Sequence, residues 1–469
     1  MSCVEPLVLS GKEVWPLIEG GKGISATNGR SSGAWAHAGG VGTFSGVNGD
    51  LIDDNGEQIP LVFRGRDRKE RHEELIDHSI RAGISQARIA HETRQGEGRI
   101  HMNVLWEMGG CERVLLGILE GAKGLIHGVT CGAGMPYRLA EICAHYNVHY
   151  YPIVSSSRAF NALWKRAYNR FAEWLGGVVY EDPWRAGGHN GLSNSEDPEN
   201  PEPAFPRVKA LRDLMQGFGL DRVPIVMAGG VWHLKDWKDW IGSKELGPIA
   251  FQFGTRPLLT VESPIPEAWK KKLLEVMPDD VLLHRFSPTG FYSSAVKNRF
   301  LNDLVERSDR QVAFFEAATP EHGAESFFAY GRTGRGVWLT AADHARVEGW
   351  IAAGFTQPMR TPDDTLIFVT PDSARQIRRD QADCMGCLSH CKFSNWKDHD
   401  DFTTGKPADP RSFCIQKTLQ DIAHGTGQPI EDQLMFAGHN AFKFRQDPYY
   451  ANGFVPTVKQ LVQRILTGH

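Results

Sequence analysis

The sequence predicts an α/β chain: a (β/α)8 barrel followed by a C-terminal, mostly helical extension that carries a group of cysteines. Two observations lead there. Short apolar runs ending in Gly or a small polar residue recur through about the first 260 residues, with helical-looking segments between them, and runs of four to eight apolar residues mark strands buried on both faces. At 469 residues the chain has room for one barrel and an appendage. A doubly wound open sheet is the rival architecture for the same alternation.

In chain order, the expected strands are 14–18, 41–45, 99–104, 123–127, 148–154, 176–181, 224–228 and 248–253. Helical segments are expected at 67–92, 110–121, 136–147, 158–175, 205–219 and 234–243, several opening with Pro, Ser or Asp near the first turn. On this reading residues 1–275 form the barrel. Residues 276–380, with fewer apolar runs, turn signals (SPTG, TGRG, TPDD) and helical stretches near 295–318 and 341–353, form a helical or irregular extension packed on it. Residues 381–469 form the four-cysteine segment and a helical tail. The acidic stretch Asn190 to Pro206 lacks periodicity and reads as a lid or a surface excursion. The charged stretch Arg64–Arg81 reads as a solvated helix with opposite charges at i,i+4, in preference to a phosphate-binding face.

Composition removes several classes of function. A formal charge of −4 and pI near 6.5 give no electrostatic case for a nucleic-acid partner. No run approaches the ~18 apolar residues of a membrane span. MSCVEPLVLSGKEVW has no basic region followed by an apolar core, so a cytoplasmic protein without structural disulfides is expected. Fifty glycines exceed the usual share of about 7%, as tight turns and close ligand contacts require.

In a barrel the chemistry sits on the loops that follow the strands. Here those points read Glu19-Gly20-Gly21-Lys22-Gly23, Asn103, Gly132-Ala133-Gly134, Ala186-Gly187-Gly188-His189, Ala228-Gly229-Gly230 and Gly254-Thr255-Arg256. Gly-Gly after the seventh strand and Gly-Thr after the eighth offer backbone N–H groups to a phosphate. No GxxxxGK[ST] run is present, and no GxGxxG with an acidic residue twenty positions on, so a nucleotide would be held by the barrel. His189, flanked by glycines at a strand mouth, is the leading proton-transfer candidate, its alternative being a surface loop histidine. His127, His233 and His439 read as structural.

PLIEGGKGIS at 16–25, HAGGVGTFSG at 37–46, GAGMP at 132–136, the AGGHNG run at 186–191, PIVMAGGV at 224–231 and FQFGTRPLLTVES at 251–263 resemble, in that order along the barrel, the nitronate monooxygenase (2-nitropropane dioxygenase-like) family. The resemblance implies an FMN-binding TIM barrel with relatives among NAD(P)H-dependent enoyl and quinone reductases. It puts the FMN phosphate on Gly229, Gly230, Gly254 and Thr255, and the ring near Gly21, Gly23, Asn103, Gly187 and Gly188, with Gly132 and Gly134 in the matching loop. His189 takes the position of the family's catalytic base. Lys22 departs from the Met common in relatives and would bring charge to the flavin edge.

Cys384, Cys387, Cys391 and Cys414 read C-x2-C-x3-C…C. Thiolates so spaced suit an iron–sulfur cluster. A structural zinc site, with His390 in place of Cys414 as one variant, is the rival, and a redox C-x-x-C is a third reading. The resemblance extends to a subset of flavin oxidoreductases with this C-terminal motif, in FCIQKTLQDIAHG at 413–425, LMFAGHNAFKF at 434–444 and TGFYSSAVKNRF at 289–300. The spacing is also similar to the 4Fe–4S site of bacterial dienoyl-CoA reductases, apart from a longer final gap.

Three functions stay open. The first is an FMN and iron–sulfur reductase that passes electrons from a nicotinamide or a redox partner protein to a small organic acceptor. The second is a nitronate monooxygenase using oxygen, and the third a non-catalytic barrel with a zinc-stapled tail. A small-molecule substrate is expected. The sequence leaves the oligomeric state open, a homodimer being compatible with it.

Overall fold

The first ordered unit is a hairpin, Leu7–Leu9 with Lys12–Val14, that plugs the bottom of a closed barrel. At its turn Ser10 Oγ lies 2.9 Å from His101 Nε2 and 2.8 Å from Tyr151 Oη, both inward-facing barrel residues. The computed structural model describes residues 2–330, 334–399, 401–424 and 429–469. Thr333 of the TGRG turn and Gly425 lie outside them.

Eight parallel strands close the barrel in sequence order: β1 Leu17–Glu19, β2 Val41–Ser45, β3 Arg99–Leu105, β4 Gly128–Gly132, β5 His149–Val154, β6 Val178–Glu181, β7 Ile225–Ala228 and β8 Ile249–Phe253. The open-sheet alternative is thereby excluded. Ile18, Val41, Tyr151, Val179, Val226 and Ala250 fill the lumen. The outer faces of the strands pack against helices α1 Gly29–His37, α2 Arg68–Thr93, α3 Cys111–Gly121, α4 Leu139–His145, α5 Ser157–Arg166 and α6 Ala204–Gly217.

Four local expectations need correction. The fourth strand is not 123–127, which is turn followed by irregular backbone, but Gly128–Gly132; its small residues GVTCG are fully buried yet give no apolar run to read. Segment 158–175 is not one helix: it breaks at Ala167 (φ −144°) and continues as the 3-10 stretch Tyr168–Trp174. Segment 234–243 yields only the 3-10 turn Leu234–Trp237, where Lys235 N–H donates to the Gly468 carbonyl (3.0 Å). Helix α1 was not expected, since GRSSGAWAH is rich in Gly and Ser. Those small residues let it lie close on α2: a Cβ on Gly33 would stand 2.4 Å from Thr93 Cβ.

Segment 276–380 is not merely helical and irregular. Among the described residues it holds seven strands. Strands β9 Val281–His284 and β10 Ser293–Val296 form a hairpin, and β10 also pairs with Gly188–His189 (Gly188 opposite Ser294, His189 opposite Ser293). Beyond α7 Glu267–Leu273 and α8 Arg299–Asp309 lies a lobe built on the antiparallel strands Gln311–Ala313, Thr365–Val369 and Gln357–Arg360. Its core is its own, with Val312, Phe328, Val337, Val347 and Phe368 buried. After α9 Ala341–Ala352 and α10 Pro371–Ala382 come the cysteine segment, α11 Ile415–His424 and the last helix, α12 Val458–Leu466. Helix α12 starts on a Thr457/Gln460 capping box and buries Val458, Leu461, Val462 and Ile465 in the barrel's outer core. No helix among the described residues is long and apolar enough to cross a membrane.

Candidate active site at the barrel mouth

The carboxyl ends of the strands surround a cavity of about 230 Å³. The first strand's loop contributes Gly21, Lys22 and Gly23, with Asn103 behind them and Gly132 on the next wall. Gly21 sits so close to Asn103 that a Cβ would come within 2.3 Å of Asn103 Cβ, so the backbone there packs where a side chain cannot. Gly187, Gly188 and His189 form the opposite wall, and Gly229, Gly230, Gly254 and Thr255 the remaining one. The exception is Gly134. It lies outside the cavity, its turn (φ +123°) facing Glu107, and Ala133 takes its place on the wall. None of residues 190–206 lines the cavity either; that loop is tied down by the Trp184 indole donating to the Asp197 carbonyl (2.8 Å) and by an Arg207–Glu196 ion pair (2.7 Å).

The glycine wall has the features of an anion cradle. Gly229 and Gly230 adopt positive φ (+87° and +78°), and a Cβ on Gly254 would meet nothing within 4 Å, leaving its approach open. The C-terminal segment completes this wall: Asn440 Nδ2 donates to the Gly230 carbonyl (2.6 Å), and Gly438 N–H to Thr255 Oγ1 (2.9 Å). Arg185 also borders the cavity. Arg256, next to Thr255, is wholly buried and points away, donating to the carbonyls of Trp232 (2.6 Å) and His469 (3.1 Å).

His189 is half-buried in the cavity wall. Its Nε2 lies 2.6 Å from Ser287 Oγ, which lies 2.9 Å from Thr289 Oγ1, and its ring packs on Phe436 with centroids 5.4 Å apart. Burial pushes its pKa down to about 4, so the imidazole is neutral at pH 7 and able to accept a proton. Lys22 donates from Nζ to the Gly20 carbonyl (2.6 Å); burial lowers its pKa to about 8 against the opposing pull of Glu19. Sequence reasoning did not identify Glu181, Gln252, Ser287, Phe436 or Asn440. The first two sit at strand ends and could have been found by inward alternation; the others come from segments whose position only the tertiary fold decides.

The cysteine segment is the roof of the same cavity. Cys387 and Leu388 line it together with Ile415 and Gln416 of α11. The segment is anchored to the loop after β3: Gly109 N–H donates to the Cys387 carbonyl (3.0 Å) and Ser389 Oγ to Glu107 Oε2 (2.8 Å). Cys384, Cys387 and Cys391 are buried in one hydrophobic cluster, with half-buried Cys414 packed against it. Their sulfurs meet N–H groups: Gly386 toward Cys384 (3.4 Å), Gln416 toward Cys387, Phe393 and Ser394 toward Cys391, and Lys417 toward Cys414. Burial nevertheless raises the thiols of Cys391 to about 11 and Cys414 to about 12. No three His, Cys, Asp or Glu groups among the described residues converge on a single-ion centre.

The class these features define is a parallel barrel with a cavity at its strand mouths, a glycine-lined wall on one side and a neutral imidazole on another. Residues 149–361, less than half of the chain, match the family model for nitronate monooxygenase. Comparison with curated proteins finds no match. Among solved structures, FabK from Thermotoga maritima is 14% identical over 96% of this chain and 91% of that one, with a TM-score of 0.51. The enoyl reductase domain of MlnA, from the macrolactin biosynthesis cluster of Bacillus amyloliquefaciens, is 12% identical over 96% and 93%, with a TM-score of 0.53. At these identities the shared property is the fold.

Proposed function

We propose that the chain is an FMN-dependent oxidoreductase of the nitronate monooxygenase type, acting as a flavin and iron–sulfur reductase on a small organic acceptor. The observation that carries this reading is the convergence of His189 and the glycine strand ends on one cavity roofed by the cysteine segment. The residues present suit FMN. Gly229, Gly230, Gly254 and Thr255 would hold its phosphate beside Arg185, with Gly21, Gly23, Asn103, Gly187 and Gly188 around the ring. FMN supplies hydride transfer when bound. His189 accepts or returns a proton, with Ser287 fixing its ring.

The four thiols also suit a cluster. Cys384, Cys387 and Cys391 share one group of buried residues with Cys414 packed against it, and four cysteine thiolates are the ligand set of such a cluster. With Cys387 on the cavity roof, such a group would border the flavin space directly, and NAD(P)H or a redox protein would serve as electron donor. A second reading, nitronate monooxygenase with oxygen as acceptor, is favoured by the match over residues 149–361.

The test is an absorption spectrum of protein purified without oxygen, with iron, acid-labile sulfide and zinc assayed on the same sample. Flavin bands plus about four iron and four sulfide per chain support the first reading. Flavin with neither iron nor sulfide, and turnover of alkyl nitronates, supports the second. Protein that binds no flavin overturns both.

A further inference from the structure

Glu181 is the last residue of β6, and its backbone stands opposite Ala228 of β7. Val179, two residues earlier, belongs to the lumen core with Val226 and Ala228. Alternation therefore turns the Glu181 side chain inward too, at the top of the lumen, where it borders the cavity. Its neighbour Asp182 is occupied: Oδ1 accepts from the N–H groups of Trp184 (3.0 Å) and Arg185 (3.1 Å), and Oδ2 stands 4.0 Å from Arg185 Nε. The Glu181 carboxyl, mostly buried at the cavity wall, has no hydrogen bond or ion pair among the described residues.

The other charged groups of the cavity are engaged elsewhere, Lys22 with the Gly20 carbonyl and Glu19, Arg185 with Asp182, and His189 with Ser287. Burial, reinforced by the like charge of Asp182, pushes the Glu181 pKa up to about 8. The carboxyl thus keeps its proton at pH 7, while His189 on the same cavity is neutral. Opposite displacement of two groups sharing a site separates a proton donor from a proton acceptor.

We propose that Glu181 is a second proton-carrying residue of this cavity, donating its carboxyl O–H to a carbonyl oxygen or ring nitrogen of the molecule bound there. The inference rests on the flavin reading, and the acceptor belongs either to FMN or to a carbonyl substrate.

Two titrations between pH 6 and 9.5 test it, on wild type, Glu181→Gln and Glu181→Ala. One measures FMN affinity of flavin-stripped protein by fluorescence quenching. The other measures binding of the crotonyl thioester of N-acetylcysteamine to flavin-loaded protein by the shift of the flavin bands. In wild type, one arm loses about tenfold in affinity or more as pH rises through 8 and the donor ionises. Glu181→Gln, whose amide donates at every pH, lacks that loss, and Glu181→Ala is already weak at pH 7. The arm that responds identifies the acceptor. Lys22 titrates in the same range, so a Glu181→Gln profile superimposed on wild type assigns the loss to Lys22 and overturns the inference. Wild-type affinity that stays flat with pH in both arms also overturns it. Wild type that binds no FMN at any pH overturns the flavin reading and this inference with it. Should Glu181→Ala fail to fold, the near-isosteric Glu181→Gln decides alone.

Discussion

His189 illustrates how much one residue's chemistry depends on what surrounds it. Flanking glycines mark it in the sequence, but its neutral state comes from burial, and its orientation from Ser287 on a segment almost a hundred residues away. Replacing it by Ala removes the proposed proton-transfer group without touching Gly229, Gly230 or Gly254 of the other wall. His189→Ala is therefore expected to retain FMN, read from the flavin absorbance of purified protein, while turnover falls about 10²- to 10⁴-fold. The pH profile gives a second check. A base works when unprotonated, and this one protonates only near pH 4, so the acid limb of kcat/KM assigned to it should lie near pH 4 and not near 6.5. A limb at 6.5 would move the role to another histidine. Gly230 makes the complementary case in the cradle: its φ of +78°, and the 2.9 Å separation between an added Cβ and Arg185 Cδ, make any side chain strained there. Gly230→Val is expected to weaken FMN binding about tenfold or more in a fluorescence titration, with the fold intact by circular dichroism.

At the scale of elements, the barrel strands were legible because strands buried on both faces are apolar runs, and seven of the eight expected runs overlap an observed strand. The eighth failed because GVTCG is buried by smallness, which hydropathy does not register. Helix α1 was missed for the same reason. The cysteine segment was legible as a motif but not as a roof; its place over the cavity depends on long-range bonds to Glu107 and Gly109. If it is a metal-bearing roof, Cys391→Ser should strip iron or zinc from purified protein while the barrel keeps flavin. Equal metal content in variant and wild type would remove Cys391 from the ligand set.

Over the whole molecule, the chain closes on itself. Helix α12 returns to the barrel, and the His469 carbonyl accepts from buried Arg256, the residue after Thr255 of the cavity wall. Leu461 is fully buried in that contact. Leu461→Ala should cost about 2–5 kcal/mol in denaturant unfolding, and a loss near zero would mean the helix docks weakly. Stability should also depend on pH. His127, His189 and His233 have folded pKa values lowered to about 3, 4 and 4, below the ordinary 6.5. The unfolded chain binds more protons between those limits, so their contribution is present above 6.5 and is lost as pH falls toward 4. Glu181 works the other way. Its pKa is raised from 4.5 to about 8, so the folded state loses stability as pH climbs through that window. Urea midpoints should fall on the acid side in wild type, and Glu181→Gln should flatten the alkaline decline; midpoints independent of pH would contradict both.

The sequence by itself determined the alternation of strands and helices, the glycine-ended strand mouths and the spacing of Cys384, Cys387, Cys391 and Cys414, because apolar period, backbone freedom and thiol spacing are local properties. Tertiary structure decided the rest. It set Gly134 off the wall and Glu181 on it, laid Ser287 against His189, and brought Cys387, Asn440 and Phe436 over a mouth that the first 260 residues leave open. Those placements come from backbone pairing and burial between segments far apart in the chain, and a local pattern carries no record of which distant surface will cover it.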